Sequence, residues 1–171
     1  MMWIGLVMVL LILLTNWPMG LMKEQQRVVA NCTFQIMFLT FICVHIFSFI
    51  LGARALSNQL IFAALCMYLL MGLLWSFAYT LLIALDPESI RLVSVINWEE
   101  DARDAFSEMY YFSFVTLTTL GYGDILPVSR LARSLATMEA ILGQLYLAVV
   151  IASLVGIQIS SRTHGSNNKK Q

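Results

Sequence analysis

Thr119-Leu120-Gly121-Tyr122-Gly123-Asp124 is the stretch on which the fold turns. Two glycines alternate with larger residues inside it, and glycine accepts the positive φ that other residues resist. A backbone that alternates in handedness turns successive carbonyls to one side. There they can replace the water shell of a cation. The Thr119 hydroxyl can add one more ring of oxygens at one end of such a row. The Tyr122 ring then points away from the row, where it can brace the strand.

The flanks give this stretch its setting. Asp104 to Thr118 is a semi-apolar run of 15 residues, too short to cross a bilayer and suited to a re-entrant helix. Asp104 and Glu108 fall in its first turns, where carboxylates complement the helix dipole. Gly121, Gly123 and Pro127 disfavour continuation of that helix. Leu131 to Ser160 follows, with Arg133, Glu139, Gln144 and Gln158 as its only strongly polar members. At about 1.5 Å per residue this helix would be about 45 Å long. It must therefore tilt within, or project from, a hydrocarbon core of about 30 Å. Irregular backbone at membrane depth is tolerated only where it lines a cavity or is buried in protein, and residues 119–124 sit in such a place.

The composition agrees. Hydrophobic residues make up 60% of the 171 and charged ones 12%, against about 25% charged in a soluble domain; mean hydropathy is +0.80. The fold class is an all-α membrane protein, with an N-terminal membrane segment over 1–85 carrying helices near 3–17, 28–51 and 60–85. An extracellular loop follows over 86–103, then a pore helix, filter and inner helix over 104–160, and a polar, disordered cytoplasmic tail over 161–171. Trp3 to Trp17 is short for a span, and a removed signal peptide is the competing reading; it lacks a basic start and a small-residue cleavage site. Net charge is zero, so nothing suggests nucleic acid as a partner. Cys32, Cys43 and Cys66 lie in apolar runs without metal-ligand spacing and read as small buried hydrophobes. The sequon Asn31-Cys32-Thr33 adjoins a membrane segment and reads as unused. No nucleophile, metal cluster or phosphate loop supports an enzyme, and no organic cofactor is implied.

The run Tyr110 to Asp124 is similar to the TTVGYGD signature of the potassium channel superfamily, with Leu120 in place of the usual valine. Pro127 to Ile157 resembles the inner helix of the bacterial two-helix ion-channel family, and the likeness extends from Asp104 to Ser160. The resemblance implies a homotetramer that passively conducts K+ in the lipid bilayer, as a multi-pass protein of a bacterial inner (plasma) membrane. It implies that Thr119, Leu120, Gly121 and Tyr122 hold K+ through backbone carbonyls, Thr119 also through its hydroxyl, with Gly123 and Asp124 at the outer mouth. Two departures stand out. Where many members place a tryptophan to bond the filter tyrosine, this chain has Tyr111, which could donate, and Phe112, which cannot. Where some hold a glutamate behind the filter, it has Val115, so Asp124 lacks that partner. The competing functions are a non-selective cation channel and a subunit of a potassium transporter; a single loop in 171 residues argues against the latter.

With the loop entering from outside, Lys23, Arg27, Arg91, Arg103, Arg130 and Arg133 fall outside and Arg54, Arg162, Lys169 and Lys170 inside. That is six against four, contrary to the positive-inside rule, and the filter direction is the stronger signal. Nine acids face the six outer bases, giving −3 per chain at the outer mouth, a field that attracts cations. No arginine-rich helix precedes the pore, so no voltage sensor is visible. Within the inner helix, Gly143 is a gating hinge or a close-packing glycine, and Gly156 a packing glycine. Gln144 shares a stripe with Leu147, Ile151 and Val155, which the family turns toward the axis. Glu139 lies about 140° away around the helix and reads as an intramembrane acid bonded to the pore helix. His45 reads as a hydrogen-bonded interior residue.

Overall fold

The computed structural model describes residues 24–53, 57–92 and 102–167. The expected helix near 3–17 and the acidic run Glu99-Glu100-Asp101 lie outside them. Four helices dominate: α1 (Glu24–Gly52), α2 (Asn58–Leu85), α3 (Ala102–Leu117) and α4 (Arg130–Asn167). Three are long and apolar enough to cross a membrane, over Gln25–Gly52, Asn58–Leu85 and Arg130–Ser153. Met37, Val44, Phe49, Phe62, Leu65 and Leu69 stand exposed on α1 and α2. Such a surface suits lipid and would be a liability in water. The chain is an integral membrane protein.

Local chemistry sets the helix ends. Ser57 has extended backbone and its hydroxyl accepts from Leu60 N at 3.3 Å, a cap whose loss costs about 1 kcal/mol. At the other end, Asp86 N donates to Leu82 O at 2.8 Å, and Pro87, without an N–H, opens a short 3-10 turn. Helices α1 and α2 form an antiparallel hairpin whose open ends are tied by Gln25 Nε2 donating to Ala84 O at 2.7 Å.

The segment expected as a plain loop over 86–103 contains a strand. Here β1 (Ile90–Leu92) pairs antiparallel with β2 (Ile125–Pro127), in the register Ile90 to Pro127, Arg91 to Leu126 and Leu92 to Ile125. Ile90 is buried while Arg91 faces out, the alternation a half-buried strand requires. Ser89 O extends the pairing by accepting from Val128 N at 2.8 Å and Ser129 N at 3.1 Å. Ser129 then starts α4, its hydroxyl accepting from Ala132 N at 3.1 Å. The main core sits here, behind the two-stranded pair: Tyr79 and Leu82 from α2, Met109 and Phe112 from α3, Ile90 and Ile125 from the strands and Ala132 from α4.

The tail also differs from expectation. Helix α4 continues through the stretch expected to be disordered, as far as Asn167; extending a helix already nucleated costs little even through weak formers. A largely apolar cavity of about 680 Å³ lies between α4 and the hairpin, lined by Phe47, Leu60, Met67, Leu145 and Val149 among others. Tyr146 bridges the gap, donating to Ala64 O at 2.7 Å. Cys32 and Cys43 are buried, whereas Cys66 is exposed on the outer face of α2, contrary to the reading of all three as interior.

Candidate ion-conduction site

Helix α3 delivers the chain to residues 118–124 and anchors it there. Its last turn is closed by the Thr118 hydroxyl donating to Phe114 O at 2.7 Å. Val115 O then accepts from Leu120 N at 2.9 Å and Gly121 N at 3.4 Å, and Thr116 O from Thr119 N at 2.9 Å. These bonds reverse the chain against the end of its own helix.

Beyond that point the backbone alternates. Thr119 has φ +58°, Gly121 +58° and Gly123 +79°, while Leu120 and Tyr122 keep negative φ. The two glycines are as the sequence requires. Thr119 is an addition: a β-branched residue with positive φ is a genuine outlier, at a cost of order 1–3 kcal/mol, and such strain clusters at functional sites. No propensity argument from the sequence points to it. Thr119, Leu120, Gly121, Tyr122, Gly123 and Asp124 are all exposed in the single chain. One chain therefore covers this strand from one side only.

The outer end carries a bond that the sequence reading missed. Asp124, expected to lack a partner because Val115 replaces a glutamate, accepts the Tyr111 hydroxyl at Oδ2 over 2.7 Å, and Ile125 N donates to its Oδ1 at 3.1 Å. The hydrogen bond to this carboxylate pushes the Tyr111 phenol up to about 12, so it stays a donor at physiological pH. Tyr111 was available to bond Tyr122. Instead the two rings lie stacked, with centroids 6.5 Å apart and planes 4° from parallel. Phe112 turns inward and meets Tyr79 edge-on at 4.9 Å.

Helix α4 passes the inner end of the strand. Gln144 Nε2 donates to Thr119 Oγ1 at 3.3 Å, and Leu147, Ile151 and Val155 lie exposed further down. Gly143 touches the end of α3: a Cβ there would lie 2.6 Å from Leu117 O and 2.8 Å from Leu117 Cδ1. Of its two sequence readings, close packing has this contact behind it. Gly156, read as a packing glycine, has nothing within 4 Å of such a Cβ. Glu139 is fully buried and reaches the pore helix at Ser113, over 2.6 Å from Oε1, with the Tyr79 hydroxyl donating to Oε2 at 2.6 Å. His45 Nδ1 lies 2.8 Å from Phe41 O, one turn back in its own helix.

Three residues of this region were not singled out by the sequence. Gly72 lets the Phe114 ring lie on α2, since a Cβ would sit 2.5 Å from it. Tyr79 and Ser113 complete the surroundings of Glu139. Their one signal is a hydroxyl on an otherwise apolar helix face, and pairing them needs the fold.

A backbone strand of alternating handedness, held by a half-helix between two spanning helices, defines an ion channel pore module. The chain belongs to the ion channel family, whose model, described as ion channel, matches residues 39–158. It is also similar to the inward rectifier potassium channel Kirbac3.1 of Paramagnetospirillum magnetotacticum, at 42% identity over 67 residues. The matched part is 39% of this chain and 22% of that protein, so the chain spans about a fifth of this relative's length. No solved structure matches.

Proposed function

We propose that the protein is a subunit of a potassium-selective channel, in which four copies surround a pore that passes K+ passively down its gradient. The observation that carries this reading is the alternation of φ over Thr119, Gly121 and Gly123. Alternate handedness aims the carbonyls of Thr119, Leu120, Gly121 and Tyr122 at one line, where they substitute for hydration water around a K+ ion. Gly123 and Asp124 form the outer mouth. The exposure of the whole strand in one chain supports further copies around the same axis, since one strand cannot encircle an ion. The relative named above is a potassium channel by its name, and a bacterial inner membrane is the location that fits this kinship.

Purified protein in liposomes tests the function directly. The reversal potential should follow the potassium gradient, with sodium at least about tenfold less permeant, a discrimination of about 1.4 kcal/mol. Equal permeability of the two ions would leave a general cation channel instead.

Gln144 lines the water-filled cavity beneath the strand in this reading, supported by its contact with Thr119 at 3.3 Å and its exposure. A Gln144→Cys protein lacking Cys32, Cys43 and Cys66 should lose most of its current to a small aqueous thiol reagent applied to open channels. Unaltered current, alongside ready block of Leu147→Cys and Ile151→Cys, would place Gln144 away from the pore.

A further inference from the structure

Three helices meet at one buried carboxyl. Glu139 of α4 is fully enclosed within its own chain. Tyr79 of α2 donates its hydroxyl to Glu139 Oε2 at 2.6 Å. Ser113 of α3 places Oγ 2.6 Å from Glu139 Oε1 and also 2.9 Å from Gly72 O of α2. Ser113 thus stands between two oxygens at hydrogen-bonding distance.

A serine hydroxyl has one proton to donate, a backbone carbonyl has none, and an ionised carboxylate has none. With Glu139 ionised, Ser113 could satisfy only one of these two oxygens, and the other contact would be lone pair against lone pair. One added proton resolves the conflict. The Glu139 acid O–H donates to Ser113 Oγ, Ser113 donates to Gly72 O, and Tyr79 donates to the remaining carbonyl oxygen of the acid. Gly72 O also accepts from Ser76 Oγ at 2.7 Å and, inside α2, from the backbone of the following turn, so Ser113 joins it as a further, shared donor.

We propose that Glu139 works as an uncharged carboxylic acid that donates to Ser113, and that this relay positions the pore helix, and with it the conducting strand, against α2 and α4. Ser113 lies two residues before Val115, whose carbonyl anchors Leu120 and Gly121. A shift of the pore helix at Ser113 therefore reaches the strand directly. Glu139 is a positioning residue in this scheme. Its place five residues before Gln144, about 140° around the helix, keeps it off the line of ion passage, so it neither attracts nor binds the permeant ion.

The electrical arm of the test rests on the potassium-channel reading, whereas the spectroscopic arm does not. Infrared spectra of the full-length protein in liposomes at neutral pH should contain a protonated-carboxyl carbonyl band that disappears in Glu139→Gln. The band should move to higher frequency in Ser113→Ala, which removes the acceptor of the acid proton. A wild-type spectrum without a band sensitive to Glu139 overturns the proposal, whatever the currents show. In flux, Glu139→Gln should keep the potassium-to-sodium permeability ratio within about twofold of wild type, because its amide NH2 donates to Ser113 and its carbonyl accepts from Tyr79. Glu139→Ala and Ser113→Ala should lower that ratio at least about tenfold. Loss of selectivity in Glu139→Gln, with wild type selective, would show that the charge matters and overturn the neutral relay. Absence of potassium preference in wild type itself would instead sink the channel reading and leave the infrared result to decide the carboxyl.

Discussion

Channels carrying Gly121→Ala or Gly123→Ala should lose potassium selectivity or stop conducting. The cause is conformational. Both glycines sit at positive φ, +58° and +79°, where an L side chain costs about 1–2 kcal/mol per residue. In the single chain nothing lies within 4 Å of a Cβ at either position, so crowding is not the mechanism. In the proposed potassium-channel reading, the alanine backbone relaxes toward negative φ, one carbonyl of each copy leaves the row, and the ion loses one ring of oxygens. The permeability ratio for potassium over sodium should fall at least about tenfold, corresponding to about 1.4 kcal/mol. Gly52→Ala is the matched control: its Cβ also meets nothing within 4 Å, and its φ is not positive. Normal selectivity in both filter mutants would show that residues 119–124 do not select the ion.

The second large effect belongs to Gly143→Ala. A methyl group there meets Leu117 O at 2.6 Å and Leu117 Cδ1 at 2.8 Å. The carbonyl is backbone at the end of the pore helix and cannot swing aside as a side chain would. Overpacking of this kind costs about 1–3 kcal/mol, offset in part by the roughly 1 kcal/mol that alanine gains over glycine inside a helix. The protein should melt at lower temperature and carry less current. Gly156→Ala, with open space at its Cβ, should instead be neutral or slightly stabilising. A Gly143→Ala protein with unchanged melting but altered opening would favour the hinge reading of this glycine over packing.

Much of the architecture is legible along the chain because a bilayer makes strong demands. Runs long and apolar enough to span have few alternatives, and the spans read at 28–51, 60–85 and 131–160 overlap helices Glu24–Gly52, Asn58–Leu85 and Arg130–Asn167. The half-helix before the glycines was legible because a short apolar run followed by Gly-Tyr-Gly cannot continue as a helix. Errors occurred where the signal is short. Ile90–Leu92 is three residues long, and its partner lies beyond the pore helix, so no local pattern marks the pair. Residues beyond Ser160 are polar, yet they prolong a helix nucleated in the apolar stretch before them.

By itself the sequence determined that this is a membrane protein with a glycine-alternating strand between a half-helix and a long span. Those features follow from composition and from the φ range of glycine, which act locally. Only the tertiary structure decided what the individual polar side chains do. Tyr111 bonds Asp124 across the glycine-alternating strand, Thr119 adopts a positive φ, and Gly143 yields its volume to the end of α3. Glu139 finds Tyr79 and Ser113, at separations of 60 and 26 residues. Hydrogen bonds and close contacts depend on distances of a few tenths of an ångström between groups far apart in the chain, and no periodicity in the sequence encodes those distances.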